Sequence, residues 1–521
     1  MIYNFNLGIG WASSGVEYAQ VYRAKMFRNI GVDAKFVFTD MFPQENIEHM
    51  TKNIGFKDSE VIWLYTFFTD FKTAPVTYTL SDLEKTFSNT EYTKSREGKI
   101  CRYVFNGSNN FYTAYMVNDH DDFVHRVELV SNGFLIRKDY FTYGRVYSEY
   151  YAPLDNKAHL YHRRFFNEDG SVAYEEMIDD DKVMYKFKDK ILCSKEELVG
   201  YMVSKLNLTS DDVILIDRST DIGQSILMNC KPARIGTVVH ADHFSEKETN
   251  EDYILWNNFY EYEFNMHKHI DFYICSTQAQ SDLMIQQFEK YYGMTPCVYT
   301  IPVGSLPELK YPKEGRKPFS LITASRLASE KHVDWICKAV IQARSEVPEL
   351  SLDIYGVGGE REKLETIIRE NNASGYIHLM GQHDLSEVYQ NYEAYIAGST
   401  SEGFGLTLME AVGGGLPIIG FDVRYGNPTF IRDGENGYLM PLPEEDKDRV
   451  EALRKGIVDL FKQDLEKCHS VSYLVAQDFL TSNVQEKWRE AVNVIKLRND
   501  GFEENTKNVL LFFCGKFEFF C

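Results

Sequence analysis

Residues 397–410, AGSTSEGFGLTLME, constrain the fold more than any other part of the chain. The apolar run at residues 395–397 is typical of a buried strand, Gly-Phe-Gly of a tight loop, and residues 406–412 of the opening of a helix. The first N–H groups of a helix have no backbone partner and carry partial positive charge, and Leu406 and Thr407 would present them to a phosphate. The stretch therefore predicts an anion site on a strand-loop-helix unit.

Two carboxylates flank the glycines of this loop. Glu402 precedes them, and Glu410 follows one helical turn inside. At this separation the two side chains can address opposite ends of one elongated ligand whose charged middle lies on the helix N-terminus. A Gly-rich turn before a helix is also a common structural connection, so the loop taken alone leaves both interpretations open.

The composition excludes several classes of function. A chain of 521 residues with 44% hydrophobic and 26% charged residues suits two or three domains, and a net charge of −21 argues against a nucleic-acid surface. The first residues predict a strand instead of a signal peptide, and no apolar run is long enough to span a bilayer, so we expect a cytoplasmic protein. Nine scattered cysteines favour reduced core residues over a disulfide or zinc framework.

A second loop of the same kind occupies residues 8–18, GIGWASSGVEY, between an apolar strand pattern and a helical pattern. It too predicts either a phosphate cradle or a plain structural connection. Strand patterns continue at residues 32–39 and 61–68.

The hydrophobic period changes at about residue 76. Alternating runs of Tyr, Phe and Val fill residues 92–190, with hairpin signals at Asn106-Gly107, Asn132-Gly133 and Asp169-Gly170. This pattern predicts an antiparallel β meander inserted into an α/β chain. Its aromatic density exceeds what one covered face of a thin sheet needs, which favours a partner surface.

Two acidic clusters lie in the same insert, at residues 119–122 and 179–181. Oxygen-rich clusters of this kind can hold a divalent metal. Neither follows a nucleotide-binding strand, and we therefore predict solvated charge without a metal site.

Strand patterns of the α/β type resume at residues 213–217, 235–239 and 272–276. His240 follows the second of these, at the strand end where open α/β sheets bind ligands. A second Rossmann-like pattern opens at residues 319–324 and is followed by Arg326 and Lys331. A planar guanidinium and a mobile ammonium can converge on one diphosphate, although an Arg and Lys at a helix start are also common on solvated surfaces.

Together these motifs resemble the retaining nucleotide-sugar glycosyltransferases of the GT-B type, family 4, whose EX7E signature matches Glu402 and Glu410. The resemblance implies that Glu402 contacts the donor sugar and Glu410 the ribose, that His240 contacts the sugar with His243 as the alternative, and that Arg326 and Lys331 clamp the diphosphate. It further implies donor contacts from Gly15, Val16, Glu17 and Tyr18 over the diphosphate, from Asp384 and Leu385 at the base, and from Gly403, Phe404, Gly405, Leu406 and Thr407 along the loop.

The opening motif GxGWASSGVEYA together with the β insert is similar to the accessory-Sec glycosyltransferase A (GtfA type) family of Gram-positive bacteria. Members transfer N-acetylglucosamine from UDP-GlcNAc to Ser or Thr of serine-rich-repeat adhesins, together with a GT-B-like B subunit. The resemblance implies no metal cofactor and is compatible with peripheral association at the inner face of the cell membrane. The apolar tail after Asp500 departs from this family pattern.

The predicted architecture is α/β, a GT-B fold of two Rossmann-like domains facing a cleft, with an inserted antiparallel β-sheet domain. Residues 1–75 and 196–305 would form the acceptor-side domain, 76–195 the insert for partner and acceptor, 306–480 the nucleotide-sugar domain, and 481–521 a crossover helix and tail. Two alternatives remain: a family 4 glucosyltransferase acting on wall teichoic acid, and a non-catalytic GT-B scaffold subunit. The presence of all the motif residues favours catalysis.

Overall fold

A computed structural model describes residues 1–9, 15–87 and 90–497. The chain divides into two compact units. The first unit consists of Met1–Ala24, Val32–Thr237 and Asn258–Asp271; the second consists of Lys25–Gly31, Val238–Asn257 and the chain from Phe272 onward. The predicted tail at residues 510–521 lies outside the described residues.

The chain before the insert alternates strands and helices. Its elements are β1 (Ile2–Asn6), α1 (Gly15–Asn29), β2 (Ala34–Phe38), α2 (Ile47–Ile54), β3 (Val61–Trp63) and α3 (Leu80–Lys85). The prediction of a strand through residue 68 is wrong, because the chain turns after Trp63, whose carbonyl accepts hydrogen bonds from the N–H groups of Thr66 and Phe67. Helix α3 was not predicted from the sequence; it begins with a capping box between Thr79 and Asp82.

The insert is a single ten-stranded antiparallel sheet in which neighbours in sequence are neighbours in space. Its strands are β4 (Tyr92–Glu97), β5 (Ile100–Phe105), β6 (Asn110–Met116), β7 (Val124–Ser131), β8 (Phe134–Phe141), β9 (Arg145–Leu154), β10 (Lys157–Phe166), β11 (Val172–Asp179), β12 (Lys182–Lys186) and β13 (Ile191–Leu192). Asn132 and Gly133 both have positive φ, 50° and 83°, as a two-residue turn that matches the twist of the strands requires. The predicted meander is confirmed.

Much of the aromatic content of the insert is internal core. Tyr140, Tyr147, Phe165 and Tyr174 are cross-strand neighbours whose rings stack at centroid distances of 4.3, 5.6 and 4.4 Å. Phe165 also stacks on Tyr65, outside the insert, at 5.7 Å. Ring stacking on one face therefore explains part of the density that the sequence analysis assigned to a partner surface.

After the insert the chain returns to the α/β pattern. The elements are α4 (Lys195–Lys205), β14 (Val213–Ile216), α5 (Gly223–Asn229), β15 (Arg234–Val239), β16 (Phe244–Ser245), β17 (Leu255–Trp256), α6 (Glu261–Asn265), β18 (Phe272–Cys275), α7 (Gln278–Tyr292) and β19 (Val298–Thr300). In the first unit β15, β14, β1, β2 and β3 lie side by side in that order, and the pairings of β14, β1 and β2 with their neighbours are parallel. In the second unit β18 and β19 form a parallel pair.

A six-stranded parallel sheet organises the rest of the second unit, in the order β22-β21-β20-β23-β24-β25. The elements are β20 (Ser320–Ala324), α8 (Val333–Ala343), β21 (Ser351–Tyr355), α9 (Arg361–Glu370), β22 (Ile377–Gly381), β23 (Ala394–Ile396), α10 (Leu406–Gly413), β24 (Ile418–Phe421), α11 (Gly426–Phe430), β25 (Gly437–Met440), α12 (Asp446–Leu460), α13 (Leu465–Gln477) and α14 (Thr481–Leu497).

Both faces of this sheet are covered. Alternate strand residues belong to two apolar clusters, one shared with α8, α9 and α12 and the other with α10 and α11. Helices on both faces of a parallel sheet are the Rossmann arrangement, which directs the loops after the strands toward one edge.

Candidate active site

The two carboxylates of the EX7E motif lie on the loop from β23 to α10, which contains Glu402, and on α10 itself, which contains Glu410. Gly405 begins α10 with a φ of +88°, and a Cβ at this position would lie 2.7 Å from Cδ1 of Leu408. Glycine is the residue that adopts this conformation without strain and fits this space. The helix therefore starts where the sequence predicts, with the N–H groups of Leu406 and Thr407 at its first turn.

Two further glycines, Gly398 and Gly403, allow the loop to pack closely against the main chain of two segments that contain predicted site residues. A Cβ on Gly398 would lie 2.8 Å from the carbonyl oxygen of His332 and 3.0 Å from that of Lys331. A Cβ on Gly403 would lie 3.0 Å from the carbonyl oxygen of His240. The absence of side chains at these positions lets the Lys331 and His240 segments approach the loop closely.

Lys331 and Glu402 form an ion pair at the centre of the site. The Lys331 Nζ lies 2.8 Å from Oε2 of Glu402, and the side chains keep 23% and 21% of their surface exposed. Neither group is sealed from solvent, so a ligand can reach both. The pair brings together the carboxylate that is predicted to contact the sugar and the ammonium that is predicted to bind the diphosphate.

The main chain of Glu402 is fixed by residues 424–426. Its N–H donates to the carbonyl of Arg424 at 3.2 Å, and its carbonyl accepts from the N–H groups of Tyr425 and Gly426, each at 2.7 Å. Phe404, a predicted donor contact, has its ring buried between Phe430 and Phe479 at centroid distances of 5.2 and 5.9 Å. A donor contact from Phe404 stays a prediction.

Glu410 lies half-buried in α10 and accepts a hydrogen bond from the Tyr389 hydroxyl at 3.1 Å. Burial raises the pKa of the Glu410 carboxyl above its usual value, the bond from Tyr389 opposes that rise, and the negative charge of Asp384 adds to it. Asp384 and Glu410, which the resemblance assigns to the base and the ribose of the donor, therefore interact electrostatically. Leu385 packs against the apolar cluster beneath α10.

Tyr395 ties the first turn of α10 to the sheet. Its hydroxyl lies 3.1 Å from Oγ1 of Thr407 and 3.0 Å from the carbonyl oxygen of Ala324. Burial raises the pKa of Tyr395 to about 12, so the hydroxyl stays protonated at neutral pH. Thr407 is thereby held at the helix start where the sequence analysis places the diphosphate.

Arg326 makes a different contact from Lys331. Its guanidinium pairs with Glu330 at 3.0 Å on the protein surface, with 79% of the Arg326 side chain exposed. An exposed pair of this kind exchanges partners at little energetic cost. The joint action of Arg326 and Lys331 on one diphosphate stays a prediction.

The two candidate histidines differ in environment. His240 is half-buried at the end of β15, whereas His243 is buried and both of its ring nitrogens are engaged. Nε2 of His243 lies 2.7 Å from Oε1 of Gln287, and Nδ1 lies 3.1 Å from the Tyr425 hydroxyl. Burial lowers the pKa of His243 to about 4. A donor contact from either histidine stays a prediction, but His243 has the surroundings of a positioning group.

In the first unit, the N-terminal turn of α1 rests on a buried polar network. Glu17 is buried, with Oε1 3.5 Å from Nδ2 of Asn6, while Tyr18 keeps 45% of its surface exposed. Arg23 donates to both carboxylate oxygens of Asp217, at 2.9 and 2.6 Å. Residues 10–14 of the predicted loop lie outside the described residues. The prediction of a loop through residue 18 is wrong, because Gly15, Val16, Glu17 and Tyr18 already form the first turn of α1. Their donor contacts stay predictions.

The described part of the chain contains no group of three or more His, Cys, Asp or Glu residues suited to a metal ion. In the first acidic cluster, Asp122 pairs with Arg96 at 2.5 Å and Asp121 accepts from Asn118 at 2.8 Å. Within residues 1–9, 15–87 and 90–497, no helix combines the length and apolar character needed to cross a bilayer.

Three tyrosines that shape the site escaped the sequence analysis, namely Tyr389, Tyr395 and Tyr425. Each is buried, and each uses its hydroxyl to hold a predicted site residue. An aromatic residue in an apolar stretch carries no sequence signal of which residue its hydroxyl will contact. Their roles depend on the packing of segments that are distant in sequence.

Two family models match the chain. Residues 93–189 match the GtfA extended beta-sheet domain, and residues 309–473 match glycosyl transferases group 1. These ranges include most strands of the antiparallel insert and the parallel sheet that carries Lys331, Glu402 and Glu410.

One relative matches over almost the whole chain and a more distant one over three quarters of it. The UDP-N-acetylglucosamine–peptide N-acetylglucosaminyltransferase GtfA subunit of Streptococcus agalactiae is 53% identical over 492 residues, 94% of this chain and 97% of its own length. A poly(glycerol-phosphate) alpha-glucosyltransferase of Bacillus subtilis strain 168 is 26% identical over 404 residues, 75% of this chain and 57% of its own length.

Two solved structures share the fold. The pneumococcal O-GlcNAc transferase GtfA in complex with UDP and GlcNAc is 50% identical, with a TM-score of 0.86 and coverage of 95% of this chain and 98% of that one. The structure of a GtfA/B complex contains a chain that is 52% identical, with a TM-score of 0.92 and coverage of 95% and 99%. They confirm the GT-B fold class with its inserted sheet. With identity above half across nearly its full length, the chain belongs to the family of GtfA subunits of UDP-N-acetylglucosamine–peptide N-acetylglucosaminyltransferases.

Proposed function

We propose that this chain is a retaining glycosyltransferase that transfers N-acetylglucosamine from UDP-GlcNAc to Ser or Thr of a serine-rich-repeat surface adhesin. The observation that carries the proposal is the partly exposed Lys331–Glu402 ion pair. Glu402 lies in the loop before α10, the helix that contains Glu410. A charged pair open to ligand beside a helix N-terminus suits a nucleoside diphosphate attached to a sugar.

The second unit supplies the donor site in this proposal. Glu402 contacts the sugar, Glu410 accepts from the ribose hydroxyls, and Asp384 and Leu385 hold the base. Loop residues 403–407 and the Arg326 and Lys331 side chains take the diphosphate. His240 contacts the sugar. Gly15, Val16, Glu17 and Tyr18 contact the diphosphate.

The proposed chemistry uses the leaving group as the base. The acceptor hydroxyl attacks the anomeric carbon from the face that UDP leaves, the bond to the diphosphate oxygen breaks, and the hydroxyl proton passes to that oxygen. Lys331, Arg326 and the N–H groups of Leu406 and Thr407 stabilise the charge that develops on UDP. No metal is needed in this scheme: treatment with EDTA should leave transfer intact, and a loss restored by magnesium or manganese would contradict it.

The partner in this proposal is a GT-B-like B subunit, and the GtfA/B complex of the 52% identical relative supports such a heteromer. We place the protein in the cytoplasm, with peripheral association at the inner face of the membrane compatible with the proposal. We also retain the proposed domain boundaries at residues 75, 195, 305 and 480.

The insert would then serve the partner and the acceptor. Antiparallel strands with exposed side chains such as Phe134 and Tyr161, 43% and 44% exposed, can add to a matching sheet or anchor a partner. Deleting about residues 80 to 190 should leave UDP binding intact but abolish co-elution with the B subunit in size-exclusion chromatography. Co-elution that survives the deletion would assign the partner surface elsewhere.

The main test compares donors and acceptors directly. The protein and its B partner are incubated with labelled UDP-GlcNAc or UDP-glucose and either a Ser/Thr-rich peptide or wall teichoic acid. We expect label from UDP-GlcNAc on the peptide. Transfer of glucose to teichoic acid would support the alternative suggested by the 26% identical relative, and binding of the partner without any transfer would support a scaffold.

A further inference from the structure

Two loops of the second unit meet beside the EX7E motif. One follows β15 and contains His240, Asp242 and His243; the other is residues 424–426, which fixes the main chain of Glu402. They are joined at the surface by an ion pair between Arg424 and Glu246 at 3.0 Å, and in the interior through Tyr425.

Tyr425 makes contacts in both directions. Its N–H donates to the Glu402 carbonyl at 2.7 Å, and its hydroxyl lies 3.1 Å from Nδ1 of His243. The two rings also stack, with centroids 5.8 Å apart and an angle of 24° between their planes. Tyr425 is 1% exposed and His243 is fully buried, so these contacts do not compete with water.

The protonation states of this pair follow from burial. With a pKa of about 4, His243 is neutral at physiological pH. Its Nε2 faces the carbonyl oxygen of the Gln287 side chain at 2.7 Å and therefore carries the proton. Nδ1 of His243 faces the Tyr425 hydroxyl, 3.1 Å away. The hydrogen bond thus fixes the orientation of His243, three residues beyond His240.

Asp242 adds a second contact between the segments. Its Oδ2 lies 3.4 Å from the hydroxyl of Ser401, the residue before Glu402. Burial raises the pKa of Tyr425, and the charge of Asp242 and a hydrogen bond with its side chain add to that rise. The segment that carries His240 therefore contacts Ser401 through Asp242 and Tyr425 through His243.

We propose that Tyr425 is a positioning residue that sets the His240 segment against Glu402, so that the two side chains act on one donor sugar. The inference deepens the proposed function and rests on it for its kinetic test. A buried tyrosine needs one partner for its hydroxyl; here the same residue also fixes the main chain of Glu402, so a shift at either end is transmitted to the other. Side chains that must act together lose rate steeply when their geometry loosens.

The decisive variant is Tyr425→Phe, which keeps the ring and the main-chain bond to Glu402 and removes only the hydroxyl. In the complex with the B subunit, we expect kcat for transfer from UDP-GlcNAc to fall about tenfold, as loss of one buried hydrogen bond at a site of this kind predicts. The KM for the donor and the Kd for UDP should stay within about twofold. The control is Glu246→Gln, which breaks the exposed ion pair between the same loops and should retain kcat within about twofold.

Two substitutions of His243 then separate its nitrogens. His243→Gln retains a polar group near Nε2 and loses the contact to Tyr425, whereas His243→Asn retains one near Nδ1. We expect His243→Gln to match Tyr425→Phe, the double variant to be no slower than either single variant, and His243→Asn to recover part of kcat. Additive losses in the double variant would overturn the proposal.

Hydrogen exchange tests the coupling without any substrate. In the full-length protein, Tyr425→Phe should increase amide exchange in residues 240–246, and Glu246→Gln should not. If exchange and kcat both match those of the unmodified protein, the inference fails. A third outcome is that exchange increases but neither the unmodified protein nor any variant transfers GlcNAc. The proposed function then fails, and the positioning role of Tyr425 stands.

Discussion

Two regions, one in each unit, use acidic side chains in opposite ways. In the first unit Asp217 is fully buried, with both of its oxygens bonded by Arg23. In the second unit Glu402 is 21% exposed and bonded by a single ammonium, and Glu410 is half-buried and accepts from one hydroxyl. A buried carboxylate whose oxygens are both hydrogen-bonded stabilises the fold. A partly exposed carboxylate with a single partner can still bind a ligand.

This difference matters because both regions carry the same sequence signal, a Gly-rich loop between a strand and a helix. In the first unit the acid at the helix start, Glu17, is drawn into the interior beside Asn6. In the second unit the acid faces a lysine that solvent can reach. Substitution of the buried Arg23–Asp217 pair should therefore change stability, and substitution of Glu402 should change chemistry.

The largest effect is expected for Arg23→Ala. Removing one partner of a buried pair leaves the Asp217 charge uncompensated, and the free energy of unfolding should fall by about 3 to 5 kcal/mol. Urea unfolding of the full chain measures the change, with Arg326→Ala at the exposed pair as the control, expected to lose less than about 1 kcal/mol. Equal losses in the two variants would remove the distinction between buried and open pairs.

Glu263 is a buried carboxyl whose contribution to stability depends on pH. It is fully buried in the first unit, accepts from the Ser219 hydroxyl at 2.9 Å, and has its pKa raised by burial from 4.5 to about 7. The folded protein therefore holds this proton more tightly than the unfolded chain does. The resulting stabilisation is fully present below a pH of about 4.5 and is lost as the pH rises through about 7. The free energy of unfolding should change by about 3 kcal/mol over this pH range.

Glu263→Gln should abolish that pH dependence, because the amide imitates the protonated acid at every pH. Comparing urea unfolding of the two proteins at pH 6 and pH 8 checks this, and the variant should be the more stable protein at pH 8. A variant with the pH profile of the original chain would show that Glu263 does not titrate in this range.

In the second unit, Glu402→Gln should reduce kcat about a hundredfold, equivalent to about 2.7 kcal/mol of transition-state stabilisation, while the Kd for UDP changes less than about twofold. The charge of Glu402 matters more as the glycosidic bond loosens, which UDP alone does not report. Transfer kinetics and calorimetry with UDP measure the two quantities. A parallel loss of UDP affinity would assign Glu402 to the nucleotide instead.

A smaller effect is expected for Glu410→Ala, which should weaken UDP binding about tenfold through loss of an ionic acceptor for the ribose hydroxyls. Glu370→Ala, at an exposed position in α9, is the control and should not change UDP binding. Because burial raises the pKa of Glu410, UDP affinity should also fall as the acid protonates at low pH, and Glu410→Ala should lose that dependence. Unchanged affinity in Glu410→Ala would contradict the assignment.

Much of this organisation was predictable from local patterns. Strand and helix periods, the glycines at 398, 403 and 405, and the hairpin signals of the insert depend on residues close together in sequence, and the structure confirms the elements that they predict. The strand predicted through residue 68 failed because the buried Leu64 and Tyr65 look the same in sequence whether they extend a strand or form a packed turn. The spacing of apolar residues indicates which side chains are buried, but it does not distinguish a strand from a packed turn.

The sequence by itself determined the fold class and the set of chemical groups: the EX7E pair, Lys331 and the helix start at Leu406. Only the tertiary structure decided which groups meet. It pairs Lys331 with Glu402 across 71 residues and Arg326 with its neighbour Glu330, and it connects His243 to Tyr425 across 182. Such contacts depend on loops converging at one edge of a parallel sheet, and no pattern within either loop encodes the position of the other.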